Sequence, residues 1–541
     1  MARDSRAVTG YATMLRDTAA RFRDATAVVM DDARHSYGSL LRAGTDRARQ
    51  LGALGLGPGD RVALLIPNCM EFIEILVGAS MTGVVIVPVN TRFRAHELGH
   101  ILRDSGVAAV FTTGAVDDHV NFKDLLAEAL PGLTDNADPD ALSIEGYPAL
   151  RRIVHFGSGT PAWMIPADSL PVRAEGQPDP DPAAAPGPED LQIILYTSGT
   201  TAAPKGCLLP NRCLVVTAQS TADLFAIGPE DGWWCPLPMF HIGGVLFMSV
   251  CLARGAKFVG MSRFNVTRAF AQFRDERPTV LYPLFPTILL PIMSDADFAD
   301  TDFSRVRYVF DVGPEEIQKR IQAAFPDALL LSAYGMSETT GIVTFNHPDD
   351  SYEARMTTVG HFMPGWSARI IDPGTGQDVG LDAPGEIAVK GPALFAGYLN
   401  QPDLTASAHT PDGYFRTGDY GSMSKDGLLR FRGRLKDQMK VGGENVSALE
   451  VESFLAGHAS IRMAQVVPIP DEKYGEIPAA FIECAPDCTL TADEVIAHCR
   501  GRIASFKVPR HVRFVSEWPM SATKVAKFKL QQQLIDELGL G

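Results

Sequence analysis

Short apolar runs alternating with amphipathic stretches constrain this chain more than any other feature. Arg61–Pro67, Val84–Val87 and Ala108–Phe111 have the length and apolarity of buried strands, while Ala95–Arg103 has helical spacing. Such alternation predicts an α/β fold with largely parallel sheets, because the helices cover both faces of strands too apolar to meet water. No internal repeat is present.

Size and composition set the outer bounds. A chain of 541 residues, 46% apolar and 21% charged, buries more than one core and divides into domains. Its formal charge of −15 argues against a nucleic-acid surface, which needs basic residues to replace counterions. Eight scattered cysteines and a start without the apolar core of a signal peptide predict reduced thiols in the cytosol. Cys484, Cys488, His498 and Cys499 lie close in sequence but lack a Cys-x2-Cys pair, which weighs against zinc. The longest apolar stretch, Ile75–Val89, is interrupted by Gly78, Gly83 and Pro88 and is shorter than the roughly 20 residues of a membrane helix, so no span is expected.

Pro166–Asp190, rich in Pro, Ala, Asp and Gly, reads as an exposed connection without helix or strand period. It leads to the apolar run Leu191–Leu195 and then to Tyr196-Thr-Ser-Gly-Thr-Thr-Ala-Ala-Pro-Lys-Gly206. A strand entering a turn of small and hydroxyl residues leaves backbone N–H groups for an anion, with Lys205 as a cation beside them. The mononucleotide P-loop is excluded, because no second glycine precedes Lys205 and no hydroxyl follows it. From composition alone, a polyphosphate loop and an ordinary surface turn both remain open.

Three further turns carry chemistry. Leu331–Gly341 offers Tyr334 as a face for a base, Ser337 as a phosphate hydroxyl and Glu338 as a hard oxygen ligand for magnesium. Asp412–Tyr420 presents Asp419, a carboxylate suited to two ribose hydroxyls or to a simple turn between strands. Gly433–Val446 combines Arg434 with Gly442 and Gly443, which permit close backbone approach; its plainer reading is a charged hinge.

These four motifs, in this order, resemble the adenylate-forming family of acyl-CoA synthetases, firefly luciferase and nonribosomal-peptide adenylation domains. The resemblance spans nearly the whole chain, with further matches at Pro236–Gly244, Gly385–Gly391, Pro470–Glu476 and Phe506–Pro509. It implies a large N-terminal domain, 1–435, of layered α/β sheets with a distorted β-barrel. A small, mobile α+β domain, 436–541, follows. It implies the acyl-CoA ligase reaction, in which a carboxylate and Mg-ATP form acyl-AMP and pyrophosphate, and the acyl group then passes to coenzyme A.

By the same resemblance, Thr197, Ser198, Gly199, Thr200, Thr201 and Lys205 hold the β- and γ-phosphates, and Val312, Gly313 and Pro314 flank adenine. Tyr334 stacks on the base, with Gly335 and Met336 in the same turn; Ser337 meets the α-phosphate, Glu338 binds magnesium, and Asp419 and Arg434 hold the ribose. His241 resembles the gate of the acyl pocket. Lys436 is the hinge about which the C-terminal domain turns, and Lys440, Gly442, Gly443 and Glu444 serve the coenzyme A half-reaction. The catalytic lysine of the first half-reaction aligns with Lys524 once the family's usual glycine is dropped, with Lys527 as the alternative register. A second departure puts Ala202 where glycine is usual, which strains the loop by on the order of 1 kcal/mol if that residue has positive φ.

No aspartate stands near Phe240–His241 to pair with an amino group, so amino-acid activation is disfavoured. The remaining lining, with Phe247 and Met248, fits a fatty or aromatic acid. Loading of a separate acyl-carrier protein, and nucleotide binding with impaired turnover, are the alternatives; luciferase-like oxidation has no positive support.

Overall fold

The apolar runs become parallel strands in the computed structural model, which describes residues 8–136, 138–197, 204–435, 438–441, 444–486, 488–521 and 524–540. Arg61–Leu65 pairs in parallel with Val85–Pro88 and Ala109–Thr113, and the latter pairs with Arg152–Phe156. All of Ala109–Thr113 is buried, as a strand covered on both faces requires. Val85–Pro88 continues the sheet to Leu191–Thr197, whose other neighbour, Lys205–Pro210, is antiparallel. The Tyr196–Gly206 motif begins at the end of Leu191–Thr197 and finishes at the start of Lys205–Pro210.

The chain divides into two compact units. The first comprises Met1–Leu281, Gly335–Ile342 and Gly391–Ser407; the second comprises Tyr282–Tyr334, Val343–Lys390 and Ala408–Gly541. The first unit holds the seven-stranded sheet just described and a second sheet in which Lys257–Gly260 pairs in parallel with Thr26–Met30 and Gly232–Trp234. The long apolar stretch is shared between two elements. Its first half ends the helix Met70–Thr82, Gly83 caps that helix with φ 77°, and Val85–Pro88 is a strand. Among the described residues no helix is long and apolar enough to cross a membrane.

In the second unit, Tyr308–Asp311 lies parallel to Leu329–Leu331. Short antiparallel pairs join Ala333–Tyr334 to Thr344–Phe345 and then to His361–Phe362, and a four-stranded antiparallel sheet runs from Ser367–Ile371 to Leu429–Arg434. These sheets stand where the distorted barrel was expected, and they are drawn open, with no closed barrel among the described residues. After Arg434 a five-stranded sheet begins at Gln438, built around the long hairpin Ile461–Asp471 and Gly475–Cys484. The helices Ala448–Ala456, Ala492–Cys499 and Lys527–Leu538 complete this α+β part, which buries cores of its own around Val451, Val466 and Ile482 and around Ile469, Phe481 and Leu534. The boundary expected at 435/436 falls between these two sheets, inside the second unit.

Candidate active site

The second unit gathers an aromatic ring, a carboxylate and two cations. Asp419 and Arg434 sit directly opposite each other on the antiparallel strands Phe415–Met423 and Leu429–Arg434, and the Arg434 Nε lies 3.0 Å from Asp419 Oδ1. The Tyr334 hydroxyl donates to Asp419 Oδ2 at 2.7 Å, and its ring lies 5.5 Å from Phe431 at 32°. Burial first, and the charge of Asp419 second, push the Tyr334 phenol well above its ordinary pKa, so it stays a donor. The result is a rigid phenol–carboxylate–guanidinium row in which Asp419 is buried and Arg434 is partly exposed.

Lys524 belongs to the two-residue strand paired with Met520–Ser521, and its ammonium lies 5.2 Å from the centre of the Phe285 ring. The residue is exposed, and desolvation chiefly, with repulsion from Arg434, lowers its pKa against the pull of Asp419. Lys527 is placed otherwise. As the first residue of the last helix, Lys527–Leu538, it donates to Glu452 Oε1 at 2.5 Å, the same oxygen that accepts the Val466 N–H. Lys527 is thus paired with Glu452, whereas Lys524 is the lysine that interacts electrostatically with Asp419 and Arg434.

Around the strand end Asp311-Val-Gly-Pro314, the Val312 N–H donates to Leu284 O, and a Cβ at Gly313 would sit 2.8 Å from Pro286 Cγ, so that position demands glycine. Pro314 precedes the helix Glu315–Ala324. Asp311, which opens this expected adenine-flanking stretch, is fully buried, and neither carboxylate oxygen has a hydrogen-bond partner among the described residues. Burial alone pushes its pKa well up, which favours the protonated form. The motif marks its position, but burial is not written in residue type.

The first unit holds the phosphate-loop elements. Thr197 and Lys205 are cross-strand partners; Ser198, Gly199, Thr200, Thr201 and Ala202 lie outside the described residues. Glu338 sits on the single 3-10 turn Ser337–Thr339, fixed by the Phe395 N–H to its carbonyl at 2.8 Å. At Gly335 a Cβ would approach Gly341 O to 2.2 Å, so the turn containing Met336 and Ser337 closes only with glycine. The Tyr398 hydroxyl donates to Glu338 Oε1 at 2.8 Å, and the Lys205 ammonium lies 5.4 Å from the centre of the Tyr398 ring. His100 Nε2 contacts the Pro204 carbonyl at 3.0 Å, and the Tyr196 hydroxyl donates to Asp104 Oδ2 at 2.7 Å. Tyr398, His100 and Asp104 escaped the sequence reading because their partners lie far away in the chain.

His241 caps the buried helix Ile242–Leu252, and its ring lies 4.8 Å from that of Phe240. Lys440 and Glu444 are both exposed on the hairpin Gln438–Ser447, where the Lys440 N–H donates to Glu476 Oε2. Lys436, Gly442 and Gly443 lie outside the described residues. Cys484, Cys488 and Cys499 are free thiols, and no cluster of three metal-ligating side chains occurs among the described residues.

This arrangement, on this fold, is that of an enzyme handling an adenine nucleotide. The AMP-binding enzyme family matches residues 15–399, and the AMP-binding enzyme C-terminal domain matches residues 450–525. The chain is 32% identical to a putative acyl-CoA synthetase, YngI, of Bacillus subtilis (strain 168), over 97% of each protein. It is 30% identical to the mitochondrial medium-chain acyl-CoA ligase ACSF2 of Rattus norvegicus, over 97% of this chain and 87% of that one. Among solved structures, ATP-bound MatB from Rhodopseudomonas palustris superposes with a TM-score of 0.82 at 27% identity, over 97% of this chain and 99% of the other. The chain belongs to the AMP-binding enzyme family. Within it the chain is an AMP-forming acyl-CoA synthetase, an ATP-dependent ligase that activates an acid as acyl-AMP before transfer to coenzyme A.

Proposed function

We propose that this ligase acts on a fatty or aromatic acid and that Lys524 carries the first half-reaction. The observation that bears most weight is the electrostatic interaction of the Lys524 ammonium with the Asp419–Arg434 pair. A carboxylate is a poor electrophile, and joining it to a triphosphate brings two anions together. A cation held between the attacking carboxylate and the α-phosphate offsets that repulsion most where charge is densest, in the transition state. In this reading Lys524 does this work, Asp419 takes the ribose hydroxyls, Tyr334 the base and Arg434 the sugar side of the nucleotide.

Magnesium fits the residues present. Glu338 is a half-buried carboxylate whose Oε1 is oriented by Tyr398, and Mg2+ ordinarily takes one or two carboxylates with the rest of its shell from phosphates and water. When bound, the ion supplies positive charge to the departing pyrophosphate. Thr197 and Lys205 flank the loop that would receive the phosphates.

The second half-reaction needs a different set, Lys440 to Glu444, and a turn about Lys436. The present arrangement, with Lys524 and not Lys440 beside Asp419, is the one suited to adenylation. Support for the acid comes from the apolar helix Ile242–Leu252, in which Val245, Phe247 and Met248 are buried, and from relatives named as medium-chain ligases. The test is pyrophosphate release with fatty, aromatic and small acids, followed by coenzyme-A-dependent thioester formation. Turnover confined to small polar acids would overturn the assignment of acid class. Adenylation without thioester formation would move the acceptor to a carrier protein.

A further inference from the structure

Tyr398 lies outside every motif that pointed to the nucleotide, yet it touches two of the groups expected to hold it. Its hydroxyl donates to Glu338 Oε1 at 2.8 Å, and its ring centre is 5.4 Å from the Lys205 ammonium. The segment that bears it is built against the phosphate hairpin. Cys207 and Tyr398 form an antiparallel bridge, the Leu399 N–H donates to Gly206 O, and the Leu208 N–H donates to Gly397 O. Two anchors set the tyrosine from the other side: its own N–H donates to Thr405 Oγ1 at 2.9 Å, and its ring meets Phe395 edge-on at 4.8 Å. Phe395 in turn donates its N–H to the Glu338 carbonyl. The carboxylate, the phenol and the ammonium thus form one row at the base of the loop.

We propose that Tyr398 is a positioning residue of the nucleotide site, holding the metal-binding carboxylate Glu338 with its hydroxyl and the phosphate-binding ammonium Lys205 with its ring face. Each contact has a distinct physical effect. A phenol bonded to Oε1 fixes the carboxylate rotamer and leaves Oε2 to face a cation, which is how outer partners tune metal ligands. An aromatic face under an ammonium attracts it without neutralising it, so Lys205 stays available to a phosphate.

This inference rests on the nucleotide-site reading above, and the experiment separates the two. Binding of α,β-methylene-ATP to the full chain is followed by titration calorimetry, once in EDTA and once in magnesium, for wild type, Tyr398→Phe and Tyr398→Leu, with thermal unfolding as a check on folding. Tyr398→Phe keeps the ring, so its metal-free affinity stays within about twofold of wild type while the gain in affinity on adding magnesium shrinks about tenfold. Tyr398→Leu also loses the seat of Lys205 and binds more weakly in EDTA. On a Glu338→Gln background, Tyr398→Phe changes nothing further. The proposal is overturned if Tyr398→Phe matches wild type in magnesium, or if it weakens binding equally with and without the metal. Failure of the wild type to bind the analogue in either condition would instead remove the nucleotide-site reading beneath it.

Discussion

Two side chains with perturbed ionisation make opposite demands on the protein. Lys524 has a lowered pKa, yet its proposed work needs the proton in place. Lys524→Ala should therefore lower the rate of acyl-AMP formation by a hundredfold or more, about 3 kcal/mol of transition-state stabilisation, while the affinity for ATP changes little. Wild-type adenylation should also fall on the alkaline side at a pH below the ordinary lysine value, as the ammonium is lost. Single-turnover acyl-AMP formation across pH measures both, and a mutant with normal turnover would reassign the lysine.

Asp311 makes the opposite case, since its pKa is raised in the folded state by burial. The folded protein holds this proton more tightly than the unfolded chain, so the contribution is full below the ordinary carboxylate pKa and is lost as pH rises through and above it. Asp311→Asn, which cannot ionise, should stabilise the protein by roughly 1 to 3 kcal/mol at pH 8 and by less at pH 5. Urea unfolding at the two pH values reads this directly. An equal effect at both would mean that Asp311 is ionised in the fold. The sequence places both residues in motifs but not their ionisation, because an aspartate between Phe310 and Val312 looks the same whether it meets water or protein.

One helix shows what lies between residue and fold. Ala95–Ser105 was expected from its apolar spacing and is observed with two further residues, Asp104 and Ser105, before Gly106 caps it at φ 57°. Its function was not expected. His100 and Asp104 are one turn apart on the same face: His100 reaches the Pro204 carbonyl, and Asp104 receives the Tyr196 hydroxyl while Asn400 Nδ2 reaches it from the far side at 3.1 Å. Both ends of the phosphate loop are thus tied to one rigid helix. His100→Ala should raise KM for ATP about fivefold to tenfold with KM for the acid unchanged, and His100→Gln, which restores a donor, should recover most of it. Equal rises for both substrates would reduce the histidine to packing. Strand and helix identities were readable here because they rest on local spacing, whereas the clamp rests on contacts about a hundred residues apart. The same limit explains Pro166–Asp190, expected to be irregular, in which Leu170–Arg173 forms a single helical turn around the buried Leu170.

At the scale of the molecule, the second unit joins a parallel strand pair, an antiparallel sheet and the α+β part that carries Lys524, and how firmly that last part is held decides how easily it can turn. The helix Glu315–Ala324 packs against Ala448–Ala456, and Arg320 Nη1 reaches the carbonyls of Ile461 and Arg462 at 3.4 and 3.5 Å. These are long bonds from a partly exposed guanidinium, worth about 1 kcal/mol together. The proposed turn, from the arrangement in which Lys524 serves adenylation to one presenting Lys440, needs contacts of this modest strength, since tighter ones would slow the second half-reaction. Arg320→Ala removes them without touching the nucleotide groups. It should therefore lower the rate of acyl-AMP formation roughly fivefold and leave the transfer from preformed acyl-AMP to coenzyme A unchanged or faster. Measuring the two half-reactions separately decides the matter: an equal loss in both would show that Arg320 stabilises the fold as a whole, and no loss in either would show that other contacts hold Lys524 in place.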